Sequence, residues 1–370
     1  MAGKVFINPK ELFSLMILFE FGTAIVVPIG LQADHAIWLA ILAAIPGGIL
    51  LYLLYNYLFR QYPDQIISGC IRKIVGPFLG WPLSLFILSY FLYNAARNLR
   101  EGGDLLVSST YDETPLFVIN FITAFVMIYV LSKGVEVFFR MGQIYLFVIL
   151  LTGIVGIVVL IFSGDMKISN ILPLFDSWTS VLRTAYPSIL LFPFGEIFCF
   201  MTVLPLLTDK QSSGKTGAAA VAISGLLLSL THALQIIMIG SSIYTRSNFS
   251  LLAAISIVDI ANFLQRLDAL AILTLIICVF FKMSMYSYAV MAILADLLRI
   301  SSPQKLAVPV GIVVLFMSIF SSWSFPEHVN EGKTGSLPLL LVVTVVIPLL
   351  LFIVHLAKKT IRRSVRRLKA

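Results

Sequence analysis

Charge is the scarcest feature of this chain. Only 12% of its 370 residues are Asp, Glu, Lys or Arg, against about 25% in a soluble globular domain. Hydrophobic residues make up 59%, and the mean hydropathy is +0.99. This balance excludes an ordinary water-soluble fold and points to a polytopic membrane protein. Cysteine is nearly missing as well. Cys70, Cys199 and Cys278 have neither metal nor redox spacing and read as small packing residues. No nucleotide-binding loop, metal-ligand cluster or hydrolytic triad occurs, which argues against an enzyme and leaves no cofactor to expect. The first apolar run has no small-residue cleavage site after it, so it reads as a retained helix rather than a signal peptide. Short-period repeats and low-complexity segments are absent too.

What fills the chain is long apolar runs. Ten have the length of a membrane span, roughly 11–31, 36–59, 78–98, 116–132, 141–163, 184–207, 217–243, 268–298, 306–323 and 337–357. With the N-terminus in the cytoplasm, 18 of the 26 Lys and Arg residues fall on the cytoplasmic side, 7 on the outer side, and Lys282 inside a span. That bias predicts both termini in the cytoplasm. It also assigns the tail KKTIRRSVRRLK to lipid headgroups rather than to nucleic acid. Three segments read as non-spanning on the outer side: 101–114, 165–183 and 248–266. The last has helically spaced Leu252, Ile255, Val258 and Ile260, as for a short helix lying over the bundle.

Two of the runs are interrupted. The sixth, YPSILLFPFGEIFCFMTVLPL, places Pro193, Gly195 and Glu196 together near its middle. Proline removes a backbone donor, glycine tolerates unwound backbone, and a carboxylate at mid-bilayer costs about 2.5–3.5 kcal/mol on insertion scales. The first run, LFSLMILFEFGTAIVVPIG, repeats the pattern with Glu20, Gly22 and Pro28. Broken helices in corresponding positions of two halves mark a mid-membrane binding site between inverted repeats. The predicted architecture is therefore all-α, ten helices in a 5+5 inverted repeat with broken first and sixth helices, in one domain over 1–370. Repeat one covers about 10–163, repeat two about 184–357, and the tail 358–370. Polar residues in other spans converge on the breaks. Tyr90, Asn94 and Arg97 share a face of the third span. Lys282 and Tyr286 are one turn apart in the eighth, with Ser284 near. A lysine this deep needs a partner, and Glu20 and Glu196 are the candidates. His232 and His328 carry no motif spacing and read as packing or loop residues.

Several of these stretches, taken in order, resemble the B subunits of spore germinant receptors. They are FGTAIVVP in the first run, Thr114–Pro115, PFGE in the sixth, and QRLDAL followed by FFKMSMYSYA. That family is similar to amino acid–polyamine–organocation transporters, whose fold is LeuT-like. The resemblance covers nearly the whole chain. It implies a multi-pass protein of the spore inner membrane, partnered by A and C subunits and recognising a small germinant such as an amino acid or sugar. Carried over, the family's pocket falls on Gly22 and Thr23, on Tyr90 and Asn94, on Phe192, Phe194, Gly195 and Glu196, and on Lys282 and Tyr286. Bulky Ile25 and Val26 follow the first break, and Phe194, Glu196 and Lys282 add side chain and charge. These departures leave open a polar neutral ligand, a zwitterionic one, or a ligand-free role in assembly. Beside the receptor reading stand a secondary transporter coupled to protons or sodium and a scaffold for the A subunit.

Overall fold

The computed structural model of the protein describes residues 6–174, 177–257, 268–321 and 337–368, with side chains of the last helix described as far as Ile361. Its elements are helical, with no strand among the described residues. Among the described residues, eight helices are long and apolar enough to cross a bilayer. The other two predicted crossings are shorter or broken: helix α5 (Leu116–Ser132) has 17 residues, and helix α1 (Pro9–Phe21) has 13.

Helix α1 begins where its sequence says it should. Pro9 occupies the first turn, and Asn8 and Glu11 form a capping box, so two orphan N–H groups at the helix start are satisfied locally. It stops at Gly22, whose φ of +34° is a backbone that L side chains rarely adopt. Turns follow, then a 3-10 segment Leu31–Ala36 leading into helix α2 (Ile37–Gln61). The sixth crossing is irregular over a longer stretch than Pro193–Gly195. Helix α7 (Trp178–Arg183) passes into a π-turn at Thr184–Ile189, and a 3-10 segment covers Phe194–Thr202. Pro187, Pro193 and Pro205 each delete an i→i−4 donor, which interrupts the regular ladder at three points along this crossing.

Helix α3 (Ile67–Val75) lies on the predicted cytoplasmic side, burying Ile67, Cys70, Ile71 and Ile74 along one face. Helix α4 (Pro77–Ser109) runs past the expected end of the third span. The stretch from Glu101, predicted as non-spanning, is helical to Ser109. Two i,i+4 pairs, Arg97–Glu101 at 3.1 Å and Arg100–Asp104 at 2.8 Å, supply charge partners that hold the extra turns in register. Helix α6 (Val135–Ser163) ends at Gly164, in the left-handed region. Helix α8 (Ser213–Arg246) bends at Gly240. The short helix α9 (Ser250–Ile255) occupies part of the predicted outer segment, while residues 258–266 of that prediction, and His328, lie outside the described residues. Helix α10 (Asp268–Leu298) packs along α4, and α2 along α8, while α11 (Ala307–Phe320) lies against α4 and α5. The last crossing, Leu337–Ile361, completes the bundle.

On the predicted cytoplasmic side, the start of the first crossing and the end of the sixth are tied together. Ile7 N donates to Leu206 O and Thr208 N donates to Ile7 O, both at 3.0 Å, forming a parallel bridge. The two broken crossings therefore meet, and both lie against α10.

Candidate functional site

Lys282 is the centre of the arrangement. It lies within α10, fully buried, and its Nζ is 2.5 Å from Glu196 Oε2. The second carboxylate oxygen accepts from Tyr286 Oη at 2.8 Å. Both oxygens of Glu196 are thus engaged, which is the condition for tolerating an ion pair in a low-dielectric interior. The ammonium also lies over two rings, 4.5 Å from the centroid of Phe192 and 5.4 Å from that of Phe19. The Lys282 stem crosses the first break directly at Gly22. A Cβ at that position would lie 2.2 Å from Lys282 Cδ and 2.9 Å from Phe19 O. Glycine is needed here both for its backbone angle and for this close approach. Tyr286 is wedged by Phe19 and Phe91, at centroid distances of 5.1 and 5.8 Å. Of the two carboxylates the sequence offered to Lys282, Glu196 forms the pair. Glu20 is buried nearby, and neither of its oxygens has a hydrogen-bond partner.

Above this pair lies a cavity of about 550 Å³. It extends from Glu196 and Phe192 past Thr23, Tyr90 and Asn94 to Arg97, Glu101, Arg246 and Asn248 on the predicted outer side. Helix α4 supplies its polar wall. Asn94 Nδ2 donates to Tyr90 O, and Asn98 Nδ2 to Asn94 O, while Tyr90 Oη and Asn98 Oδ1 are buried with no hydrogen-bond partner. Tyr90 and Asn98 both border the cavity, so these polar atoms lie just behind its wall.

The ten residues predicted for the site separate into three groups. Thr23, Tyr90, Asn94, Phe192 and Glu196 line the cavity. Gly22, Lys282 and Tyr286 are not in its lining: Lys282 and Tyr286 meet it through Glu196 and Phe192, and Gly22 lies behind them against the Lys282 stem. Phe194 and Gly195 turn away from it. The Phe194 ring runs between Gly48 of α2 and Gly225 of α8, and Gly195 abuts Thr344 of the last crossing. A tight 3-10 turn spreads successive side chains around the axis, so neighbours in PFGE cannot all face one cavity.

Sequence reasoning missed a second set of polar residues, which hold the unwound part of the first crossing. Its freed carbonyls are captured in turn by α8 and α9. His232 Nε2 donates to Ala24 O at 2.9 Å and Gln235 Nε2 to Ile25 O at 3.0 Å. Val26 O accepts from Leu251 N at 3.2 Å and from Ser250 Oγ at 3.3 Å. Ile29 N donates to Tyr244 Oη at 3.0 Å. A carbonyl can only accept, so His232 carries its proton on Nε2, leaving Nδ1 to accept from Tyr244 Oη at 2.9 Å. The available signal was His232 and Gln235 at i and i+3 in an otherwise apolar run, since deep polar residues face a partner.

Comparison with known proteins agrees with this fold. Two solved structures share it. One is MhsT in complex with L-phenylalanine, with a TM-score of 0.60 and 12% identity over 96% of this chain and 99% of that one. The other is Mhp1, a nucleobase-cation-symport-1 family transporter in a closed conformation, with a TM-score of 0.59 and 13% identity over 92% and 78%. In sequence the chain is 35% identical to spore germination protein KB of Bacillus subtilis, over 98% of this chain and 97% of that protein. It is 26% identical to spore germination protein B2 of the same organism over 64% of each. The sequence profile of the spore germination proteins matches residues 6–326. The chain is a multi-pass, LeuT-like membrane protein that belongs to the spore germination protein family.

Proposed function

We propose that this chain is the B-type membrane subunit of a spore germinant receptor, and that it binds a small germinant in the cavity between its broken crossings. The observation that carries the reading is the cavity itself, seated on the Lys282–Glu196 pair and bordered by unpartnered polar atoms. Its position between the breaks of a LeuT-like bundle matches the general placement of solute sites in such folds. Thr23, Tyr90, Asn94 and Glu196 supply the polar contacts, and Phe192 an apolar face. Lys282, Tyr286 and Gly22 act by holding Glu196 and Phe192 in place, and Phe194 and Gly195 by anchoring the sixth crossing to its neighbours. With Lys282 bound to Glu196 and Arg97 to Glu101, Arg246 at the outer end is the remaining charged residue of the lining, so the cavity suits a small polar solute, neutral or zwitterionic.

Repeat halves at about 10–163 and 184–357 provide the two breaks, and the basic tail from 358 meets lipid headgroups. The subunit signals from the spore inner membrane together with A and C subunits. The Ile7–Leu207 bridge closes the two broken crossings together on the predicted cytoplasmic side, and a germinant sensor needs no passage there. A transporter reading is favoured by one observation, the likeness to MhsT and Mhp1 over most of the chain.

Deleting the gene and scoring spores against single germinants tests the proposal. Loss of the response to one germinant class is expected, with other classes unaffected. Accumulation of a solute against its gradient by the purified chain alone in liposomes would instead establish a transporter.

A further inference from the structure

The cluster at the breaks contains two carboxyls and one ammonium. Glu20 and Lys282 are fully buried, and Glu196 is 4% exposed. Lys282 is spent on Glu196, whose other oxygen is taken by Tyr286. Glu20 receives nothing, and both its oxygens are buried and unpartnered. An ionised carboxylate in that position would be a desolvated charge without a single hydrogen bond, an arrangement that interiors avoid by neutralising the group. The titratable groups within electrostatic reach of Glu20 are Lys282 on α10, Glu196 and Cys199 on the sixth crossing, and Tyr55 on α2. Tyr286 and Tyr90 border the same cluster. None of these offers a metal cation the shell of oxygens it requires, and the ammonium repels one.

We propose that Glu20 is a proton-binding site, its carboxyl carrying the one proton that makes the three-residue cluster neutral. Glu196 is the member that reaches the cavity, so it is the route by which solvent protons meet the cluster. The single ammonium is shared property: whichever carboxyl it leaves must hold the proton. The inference needs no germinant and stands or falls separately from the receptor reading.

Infrared spectra of the purified full chain at neutral pH read it directly. The wild type should show the carbonyl-stretch band of a buried, protonated carboxyl. Glu20→Gln, which keeps the shape and removes the titratable group, should lose that band. Glu196→Gln should lose it too, although Glu20 is still present, because Lys282 then becomes the partner of Glu20. That second variant keeps the test decisive should Glu20→Gln fail to accumulate. A wild type without the band, a Glu20→Gln protein retaining it at full intensity, or a Glu196→Gln protein retaining it would each overturn the proposal.

Discussion

Replacing Lys282 by methionine isolates the energetics of the site. Met preserves most of the apolar stem, which lies against Gly22 and across the Phe19 and Phe192 rings. What is lost is the ammonium. Glu196 keeps its hydrogen bond from Tyr286 but loses its counter-charge in a site with 4% exposure or less. Breaking a buried pair from one side costs about 3–5 kcal/mol, the cost of leaving Glu196 charged without a partner or of protonating it instead. By the scaling for large soluble domains, at about 2–4 °C per kcal/mol, the thermal midpoint should fall by about 6–20 °C. The double variant Lys282→Met with Glu196→Gln removes both charges and should recover most of that loss. Thermal unfolding of the purified proteins in one detergent measures the stabilities, and immunoblots of spores measure accumulation. If the single variant is as stable as wild type, or the double variant is no better than the single, the pair does not hold the sixth crossing to α10. Germination on the same spore preparations separates support from recognition. A recognition role requires normal accumulation with an altered response in the single variant, and a double variant that stays unresponsive.

Four further outcomes follow from other parts of the structure. Gly22→Ala forces a side chain into a backbone at φ +34° and into the Lys282 stem, so a loss of at least the 1–2 kcal/mol of left-handed strain is expected in the same thermal assay; an unchanged midpoint would contradict the close approach. His232→Ala strips Ala24 O of its donor and leaves Tyr244 Oη only Ile29 O, at 3.3 Å, as an acceptor, so about 1–3 kcal/mol is expected, together with faster amide hydrogen exchange over residues 24–30, and unchanged exchange would show that the clamp is not what orders this segment. On the predicted cytoplasmic side, Arg72 donates to both oxygens of Asp296 at 2.9 and 2.8 Å, and Ser68 donates to the same carboxylate. Asp296→Asn should therefore cost about 1.5–3 kcal/mol and expose the α3 region to proteases, whereas wild-type digestion kinetics would refute a latch. Asp64 is held below the usual carboxylate range by its hydrogen bond to Lys210; a lowered carboxyl contributes stability above the unfolded value near ~3.9 that is lost as pH falls through the folded value, so the difference between wild type and Asp64→Asn should be small at neutral pH and vanish in acid, and a difference that grows in acid would reverse the assignment.

Much of this was legible in the residues. The low charge and the ten apolar runs specified a helical membrane bundle, because in lipid each backbone polar group must be satisfied within its own segment. The paired Gly, Pro and carboxylate in the first and sixth runs marked where the helices fail, because those residues act on the local ladder whatever surrounds them. The spacing of Tyr90 and Asn94 and of Lys282 and Tyr286 likewise put each pair on one face, since helical periodicity is a local property. Three things depended on the packed chain. The pairing of Lys282 with Glu196 rather than Glu20 depends on how α10 leans across Gly22, a contact between residues far apart in sequence. The extension of α4 to Ser109 depends on side-chain pairs that stabilise a stretch rich in acids, glycine and serine. The clamp from His232, Gln235, Tyr244 and Ser250 exists only because the carbonyls freed by the first break lie against α8 and α9, so its meaning resides in the partner. Local backbone chemistry was enough to locate the breaks, while which charges and donors meet there is a matter of relative helix position, which tertiary packing alone decides.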